Sequence, residues 1–367
     1  MRIAIDIRAA GGAKAGKGWY TFNLVQELLK LDKENEYILY AKDGIAGFQQ
    51  YKNATLKLID KRGYFWHRAV AKDIVKEECE VFFAPSSYII PAILPKFIKT
   101  IVTVHDLVVY LFPLSHNKKA VFLERIFLRR AVKRAAHILT VSQNTKHDLL
   151  EKFTIDRDKL DTVYCAASSE FQPVPKSELQ DFVTETHLPE KFFLAVGTLE
   201  PRKNYLNLIK AFAQLSQKFP NYHLVIVGQP GWGYEAVYQE IKDSYLGKKV
   251  HLLGYLSNRS LGNLYNLATA LVFPSLYEGF GMPVLEAMQS GCPVIASNNS
   301  SIPEVVEGNA LLIDPTSHLD IAGAMIKLAS DPNLGLVLRQ KGLHQAKKFS
   351  WQNSADKLLE VIKSLTD

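Results

Sequence analysis

Leu276–Ser297, LYEGFGMPVLEAMQSGCPVIAS, reads as a loop, a helix and a strand in quick succession. Gly279 and Gly281 open backbone conformations closed to residues with a Cβ and permit close approach of a ligand. Pro283 suits a first helical turn, where its missing N–H costs nothing. The helix continues through VLEAMQS and stops at Gly291, and Pro293 leads into the apolar strand Val294–Ala296. The N–H groups at such a helix start, together with the helix dipole, favour a phosphate. Glu286, about one turn into the helix, is placed to accept hydrogen bonds from a pair of ribose hydroxyls. Glu278, on the preceding loop, can reach another hydroxylated part of the same ligand. A phosphorylated, hydroxyl-rich ligand such as a nucleotide sugar meets both demands. The same residues also describe an ordinary glycine loop with two solvated glutamates, so the rest of the chain has to decide.

Short apolar, β-branched runs alternate with helical patterns throughout. In the first half the expected strands are 3–7, 37–40, 56–59, 81–84, 100–104 and 137–141; in the second, 192–196, 223–227, 250–253, 271–273, 293–296 and 311–313. Strands alternating with helices of about 10–15 residues imply parallel sheets flanked by helices. Twelve strands exceed one compact sheet of this kind, so two doubly wound α/β domains of about six strands each are expected. Residues 165–190 carry three prolines and no sustained apolar strand, which marks a linker or hinge. The chain ends on the helical WQNSADKLLEVIKSL, whose apolar stripe is expected to be Ala355, Leu358, Leu359 and Ile362.

Doubly wound sheets bind ligands beyond the carboxyl ends of their strands. Informative residues recur there. Gly11, Gly12, Gly16 and Gly18 follow the first strand, ahead of a helix expected to begin near Tyr20. His105 and Asp106 follow the strand ending at Val104, GTLEPRKN follows Val196, and PSLYEGFGM follows Phe273. Such loops from both halves are expected to converge on one interdomain cleft.

At 367 residues the chain is long enough for two cores, with 47% hydrophobic and 22% charged residues. Cys79, Cys165 and Cys292 form no CxxC pair, which argues for a reducing compartment and against disulfides or structural zinc. MRIAIDIR is not a signal peptide, and no apolar run approaches the roughly 20 residues that span a bilayer. A cytoplasmic protein is expected. Much of the formal +7 charge lies in residues 118–134, KKAVFLERIFLRRAVKR, where seven cations face Glu124 alone. Val121, Phe122, Ile126, Ala131 and Val132 recur there at helical spacing. Such a helix either docks on anionic lipid or covers a sheet with solvated cations outward, and the two are compatible. Cations and aromatics form no recognisable nucleic-acid motif, so no nucleic-acid partner is expected.

Together these loops resemble the retaining GT-B glycosyltransferases of family 4, over almost the whole chain. GTLEPRKN and EGFGMPVLE carry the family likeness; the glycine loop and TVHDLVVYLFP resemble the bacterial O-antigen-type mannosyltransferases. The resemblance implies an acceptor-binding Rossmann-like domain over 1–170, a nucleotide-sugar domain over 171–348, and a final helix over 349–367 returning to the first. By the same resemblance, Arg202 and Lys203 would bind the donor diphosphate, Glu286 the ribose and Glu278 the donor sugar. The N–H groups around Gly279, Phe280, Gly281 and Met282 would face sugar and phosphate. Gly16 and Gly18 would approach the diphosphate from the first domain, with Lys17 where an apolar residue is frequent. Gly197 belongs to the donor loop, and Gly254 and Tyr255 mark the nucleotide base. His105 would approach the anomeric carbon, although a lone histidine at a strand end also serves as a structural hydrogen-bonder. Asp106 would orient His105, bind acceptor or cap the next turn.

The implied reaction transfers a hexosyl group, foremost mannosyl from GDP-mannose, to a glycan or lipid-linked glycan acceptor with retention and without a metal or other cofactor. A front-face substitution is expected, with domain closure excluding water. Alternatives are glucosyl, N-acetylglucosaminyl or rhamnosyl transfer from a UDP- or dTDP-sugar, a nucleotide-sugar 2-epimerase, and a noncatalytic nucleotide-sugar-binding subunit. Membrane contact through 118–134 would place the protein peripherally on the inner face.

Overall fold

The computed structural model describes residues 1–365 apart from positions 13, 15 and 113–117, and describes only the backbone at 118–120 and 176. The chain forms two units: residues 1–166 together with the chain from Phe349, and residues 167–348. The division falls inside the 165–190 stretch.

The first unit runs β1 (Arg2–Asp6), α1 (Gly16–Leu31), β2 (Glu36–Ala41), β3 (Ala54–Leu58), α2 (Gly63–Lys76), β4 (Val81–Ala84), α3 (Ile89–Ile93), β5 (Lys99–Val104), α4 (Val108–Leu111), α5 (Lys118–Arg134), β6 (His137–Thr140), α6 (Gln143–Lys152) and β7 (Leu160–Thr162). Its seven strands are parallel in the order β3-β2-β1-β4-β5-β6-β7. Sequence reading omits β7, a three-residue edge strand of Leu-Asp-Thr too short and polar to signal itself. Register puts Ala4, Ile38 and Phe82 on one face, and Ala84, Val102 and Ile138 on that same face. There α2 contributes Trp66, Val70 and Ile74, while α5 contributes Val121, Leu128, Ala131 and Val132. The opposite face takes α1, whose Tyr20 hydroxyl lies 3.4 Å from Thr103 Oγ1.

Two sequence expectations need correction here. Helix α1 begins at Gly16, not near Tyr20, so Gly16 and Gly18 lie in its first turn. Phe122 and Ile126 are not on the sheet-facing side of α5: they are 64% and 45% exposed, and Leu128 takes the buried position. Residues at 121, 128, 131 and 132 share the inner face at helical spacing, which turns 122 and 126 outward.

The second unit runs α7 (Gln180–Thr186), β8 (Phe192–Val196), α8 (Tyr205–Lys218), β9 (His223–Val227), α9 (Glu235–Asp243), β10 (Val250–Leu252), α10 (Asn258–Leu267), β11 (Ala270–Phe273), α11 (Met282–Gln289), β12 (Val294–Ser297), α12 (Ile302–Val306), β13 (Leu311–Ile313), α13 (His318–Ser330) and α14 (Pro332–Ala346). Six strands order as β10-β9-β8-β11-β12-β13, all parallel. Phe193, Leu224, Val272 and Ile295 pack on one face under Phe212, Leu215, Ile321 and Met325 from α8 and α13. From Ser168 on, the stretch read as a linker is tied to this unit. Gln289 Nε2 donates to the Ser168 and Phe171 carbonyls at 2.7 and 2.8 Å, and Asn266 Oδ1 accepts from Val174 N at 2.8 Å.

Helix α15 (Trp351–Ser364) then packs on α1 of the first unit. Its buried stripe is Trp351, Ala355, Leu358, Val361 and Ile362. Leu359 lies beside the stripe, only partly buried, and Val361 takes the place expected for it. Cys79, Cys165 and Cys292 are free and buried. Among the described residues no single helix is long and apolar enough to cross a membrane.

Candidate active site

In the second unit the carboxyl ends of three adjacent strands finish on glycine. Gly197, Gly228 and Gly254 have φ of 145°, 159° and 66°. A Cβ on Gly228 would stand 1.9 Å from the Gly197 carbonyl oxygen, so no side chain fits there. Gly228 N donates to the Gly254 carbonyl at 2.8 Å and the Tyr205 hydroxyl to the Gly197 carbonyl at 2.7 Å. The result is a rim of bare backbone running from edge strand β10 to β8, which borders the switch point between β8 and β11, open to close ligand approach. Tyr255, next to Gly254, is 54% exposed.

Beyond β8 a tight 3-10 turn, Pro201–Lys203, ends on Asn204 in the left-handed conformation at φ 61°. The Asn204 amide donates to the Pro274 and Pro315 carbonyls at 3.0 and 2.6 Å, tying three loops together. This clamp delivers Arg202 and Lys203 to Glu278. Lys203 Nζ lies 2.6 Å and Arg202 Nη1 3.0 Å from Glu278 Oε1. Arg202 also donates to the Tyr277 carbonyl at 2.7 Å and pairs with Glu200. Burial alone pushes the Glu278 carboxyl up, but Lys203 and Arg202 outweigh it and hold the group below the usual range. Two cations and two carboxylates here sum to zero.

The loop carrying Glu278 is fastened by hydroxyls. Glu278 N donates to Ser300 Oγ at 2.9 Å, and Ser301 Oγ donates to the Glu278 and Phe280 carbonyls at 3.0 and 2.8 Å. Gly281, at φ 110°, caps α11; a Cβ there would stand 2.6 Å from Ile302 Cδ1. In the first turn of α11 Pro283 carries no N–H, and Val284 N donates to the Gly281 carbonyl at 3.0 Å. Glu286 lies one turn further along, its Oε2 accepting from the Tyr265 hydroxyl at 3.1 Å. Burial pushes its carboxyl up to about 7, against the Tyr265 hydrogen bond that favours ionisation.

In the first unit His105 is buried beyond the end of β5. Its Nε2 lies 2.7 Å from the Pro85 carbonyl, so the ring donates there and its Nδ1 is the acceptor. Burial, with Lys17 nearby, lowers its pKa to about 4, which keeps the imidazole neutral. Tyr20 packs edge-on against the ring at 4.7 Å between centroids, with Trp351 behind Tyr20 at 5.8 Å. Of the three roles open to Asp106, capping is realised, since its Oδ1 accepts from Val108 N at 3.1 Å. The Pro85 carbonyl orients the His105 ring. Lys17 Nζ lies 3.8 Å from Asp106 Oδ2. Gly18 has a packing reason of its own, since a Cβ would fall 2.5 Å from the Ala9 carbonyl oxygen; Gly16 faces open space.

Sequence reasoning missed Gly228, Asn204, Ser300, Ser301 and Tyr265. Gly228 carried a legible signal, standing directly after the strand ending at Val227, as Gly197 stands after Val196. The others act through tertiary contacts.

Two parallel α/β units bearing these loops define a glycosyltransferase of the GT-B fold. The comparisons agree. The model of the glycosyl transferases group 1 family matches residues 176–363, and that of Glycosyltransferase Family 4 matches residues 15–171. The chain belongs to the group 1 glycosyl transferases, and its chemistry is hexosyl transfer. O-antigen chain mannosyltransferase B of Escherichia coli is 32% identical over 269 residues, 73% of this chain and 71% of that one. Serotype-specific mannosyltransferase WbdA of Escherichia coli is 33% identical over 271 residues, 71% of this chain, which spans only 33% of WbdA. Sucrose-phosphate synthase of Thermosynechococcus elongatus shares the fold at a TM-score of 0.82, with 18% identity over 100% of this chain and 99% of that one.

Proposed function

We propose that the protein is a retaining mannosyltransferase that moves mannose from GDP-mannose to a lipid-linked glycan acceptor in O-antigen or related surface polysaccharide assembly. The relatives named for O-antigen mannosyl transfer support the sugar and the setting. The observation that carries the chemistry is the convergence of Lys203 and Arg202 on Glu278 beside the start of α11.

In this reading the second unit holds the donor. Glu286 takes the ribose hydroxyls, the backbone around Gly279–Met282 meets sugar and phosphate, and the base lies by Gly254 and Tyr255. When Glu278 turns to the sugar hydroxyls, Lys203 and Arg202 give up its charge and take the diphosphate instead. The bond from the anomeric carbon to the diphosphate oxygen breaks on the face where the acceptor hydroxyl bonds. The departing oxygen accepts the acceptor proton, and the two cations hold its charge without a metal. Neutral His105 offers the transfer a hydrogen-bonding group, not a charge. Exposed Phe122, Leu123 and Ile126 with Arg129, Arg130 and Lys133 on α5 suit an anionic inner membrane face.

A metal-free thermal-shift panel of GDP, UDP, dTDP and ADP with their common sugar conjugates tests the donor. Ligand at about 100 times its Kd adds roughly 2.7 kcal/mol, which shifts the midpoint by several degrees. Stabilisation by GDP and GDP-mannose is expected; a response confined to UDP or dTDP sugars overturns the mannosyl assignment.

A further inference from the structure

We propose that α2 carries a second lipid-docking surface, so that the first unit rests on an anionic bilayer through two helices. The inference rests on the lipid-linked acceptor of the proposed function and names how the protein meets that acceptor's membrane.

Helix α2 turns Trp66, Val70 and Ile74 into the sheet and leaves an outer stripe at Phe65, Arg68 and Lys72, with Lys61 and Arg62 in the stretch just ahead of it. The three helical positions step by three and four residues, so they share one side of the helix. Together with Lys61, Arg62 and Ala69 they line a shallow surface groove of about 560 Å³. Phe65 is 72% exposed and neighbouring Tyr64 48%. Across residues 60–72 four cations stand against Asp60 alone. The next acid, Asp73, is engaged elsewhere, with Lys57 Nζ at 2.8 Å and the Tyr40 hydroxyl at 2.9 Å. The stripe therefore keeps its positive charge.

Helix α5 repeats the arrangement. Ile126, Arg129 and Lys133 step by the same three and four residues, Phe122 lies one turn earlier on that side, and all four face outward. Both helices cover the same face of the sheet, since register places Ala84 beside Val102 and α3 packs between the two helices. Both begin at the carboxyl end of the strands, where the His105 loop lies. An exposed aromatic set among uncompensated cations matches a headgroup region, where the ring enters the acyl boundary and the cations meet lipid phosphates. One helix alone leaves the protein free to roll about its axis. Two side by side define a plane, and the carboxyl rim between them then meets the surface from which a lipid-linked glycan emerges.

Co-sedimentation of the full chain with vesicles of phosphatidylethanolamine and phosphatidylglycerol at low salt, without donor or acceptor, tests this. Each surface cation contributes about fivefold to partition. The R62E/R68E pair is expected to lower vesicle partition at least tenfold, and F65S severalfold, each with an unchanged melting temperature. Combining R62E/R68E with I126S/R130E on α5 should abolish binding. Wild-type partition by R62E/R68E overturns the proposal and leaves α5 as the contact. Loss with R62E/R68E but none with F65S also overturns it, indicating a site for soluble polyanions; binding of dextran sulfate then identifies it. Vesicle partition is read without turnover, so failure of the mannosyl assignment would show only in the nucleotide panel.

Discussion

Glu286 carries the sharpest prediction at the scale of single residues. Its carboxyl is raised from an ordinary 4.5 to about 7, so the folded protein holds a proton there that the unfolded chain releases earlier. That proton stabilises the fold below pH 4.5, and the contribution is lost as pH rises through 7. Glu286→Gln should therefore gain roughly 2–3 kcal/mol of stability relative to wild type at pH 8 and none at pH 4, measured by denaturant melts. Donor binding has the opposite sign. If Glu286 takes the ribose hydroxyls, as proposed, it does so as the carboxylate, and GDP affinity should fall as pH drops below 7, approaching tenfold per unit, by calorimetry. A Glu286→Gln variant that kept the wild-type pH profile would remove Glu286 from the donor site. Lys203→Ala should cut turnover at least a hundredfold. Because Lys203 is itself buried against Glu278, the same change should also cost about 2 kcal/mol, with Arg202 still compensating the carboxylate.

At the scale of elements, the loop from Glu278 to Met282 is held by backbone geometry and serine hydroxyls. Gly281→Ala meets two separate obstacles, a φ of 110° and a 2.6 Å approach to Ile302 Cδ1. Adding Ile302→Val removes the obstructing methyl but not the backbone strain. Gly281→Ala should thus lose more than about 2 kcal/mol, with the double change recovering part of it, read as chemical-denaturation midpoints. Residual stability equal to wild type would show that the loop yields without cost. The strand–glycine punctuation at 197 and 254 was legible because turns at strand ends have few chemical solutions. Which helix face turns inward on α5 was not, because Phe122 and Val121 are equally apolar and only the sheet beneath distinguishes them.

Across the whole molecule, α15 belongs to the first unit although the second immediately precedes it in sequence. It buries Trp351, Ala355, Leu358, Val361 and Ile362 there, and Ser354 donates to the Tyr164 carbonyl at 2.7 Å. Removing residues 351–367 should lower the unfolding transition of the first unit by many degrees and leave that of the second in place, by calorimetry. Equal loss in both would show that the helix serves both units. Trp351 also backs Tyr20, which packs on His105, so the truncation reaches one candidate site through packing alone.

The order of strands and helices, the two parallel sheets, the punctuating glycines and the acidic and basic residues of the loops at 197–204 and 274–282 were all determined by local sequence. Hydrophobic period and turn chemistry act over a few residues, so they are visible in the chain itself. Edge strand β7, the tying of 168–174 to the second unit, and the start of α1 at Gly16 were decided by tertiary structure. So were the partners: Pro85 for His105, Tyr265 for Glu286, and the clamp of Asn204 that brings Lys203 to Glu278. Each joins residues far apart in sequence, and the energy of such a contact exists only once the chain has packed.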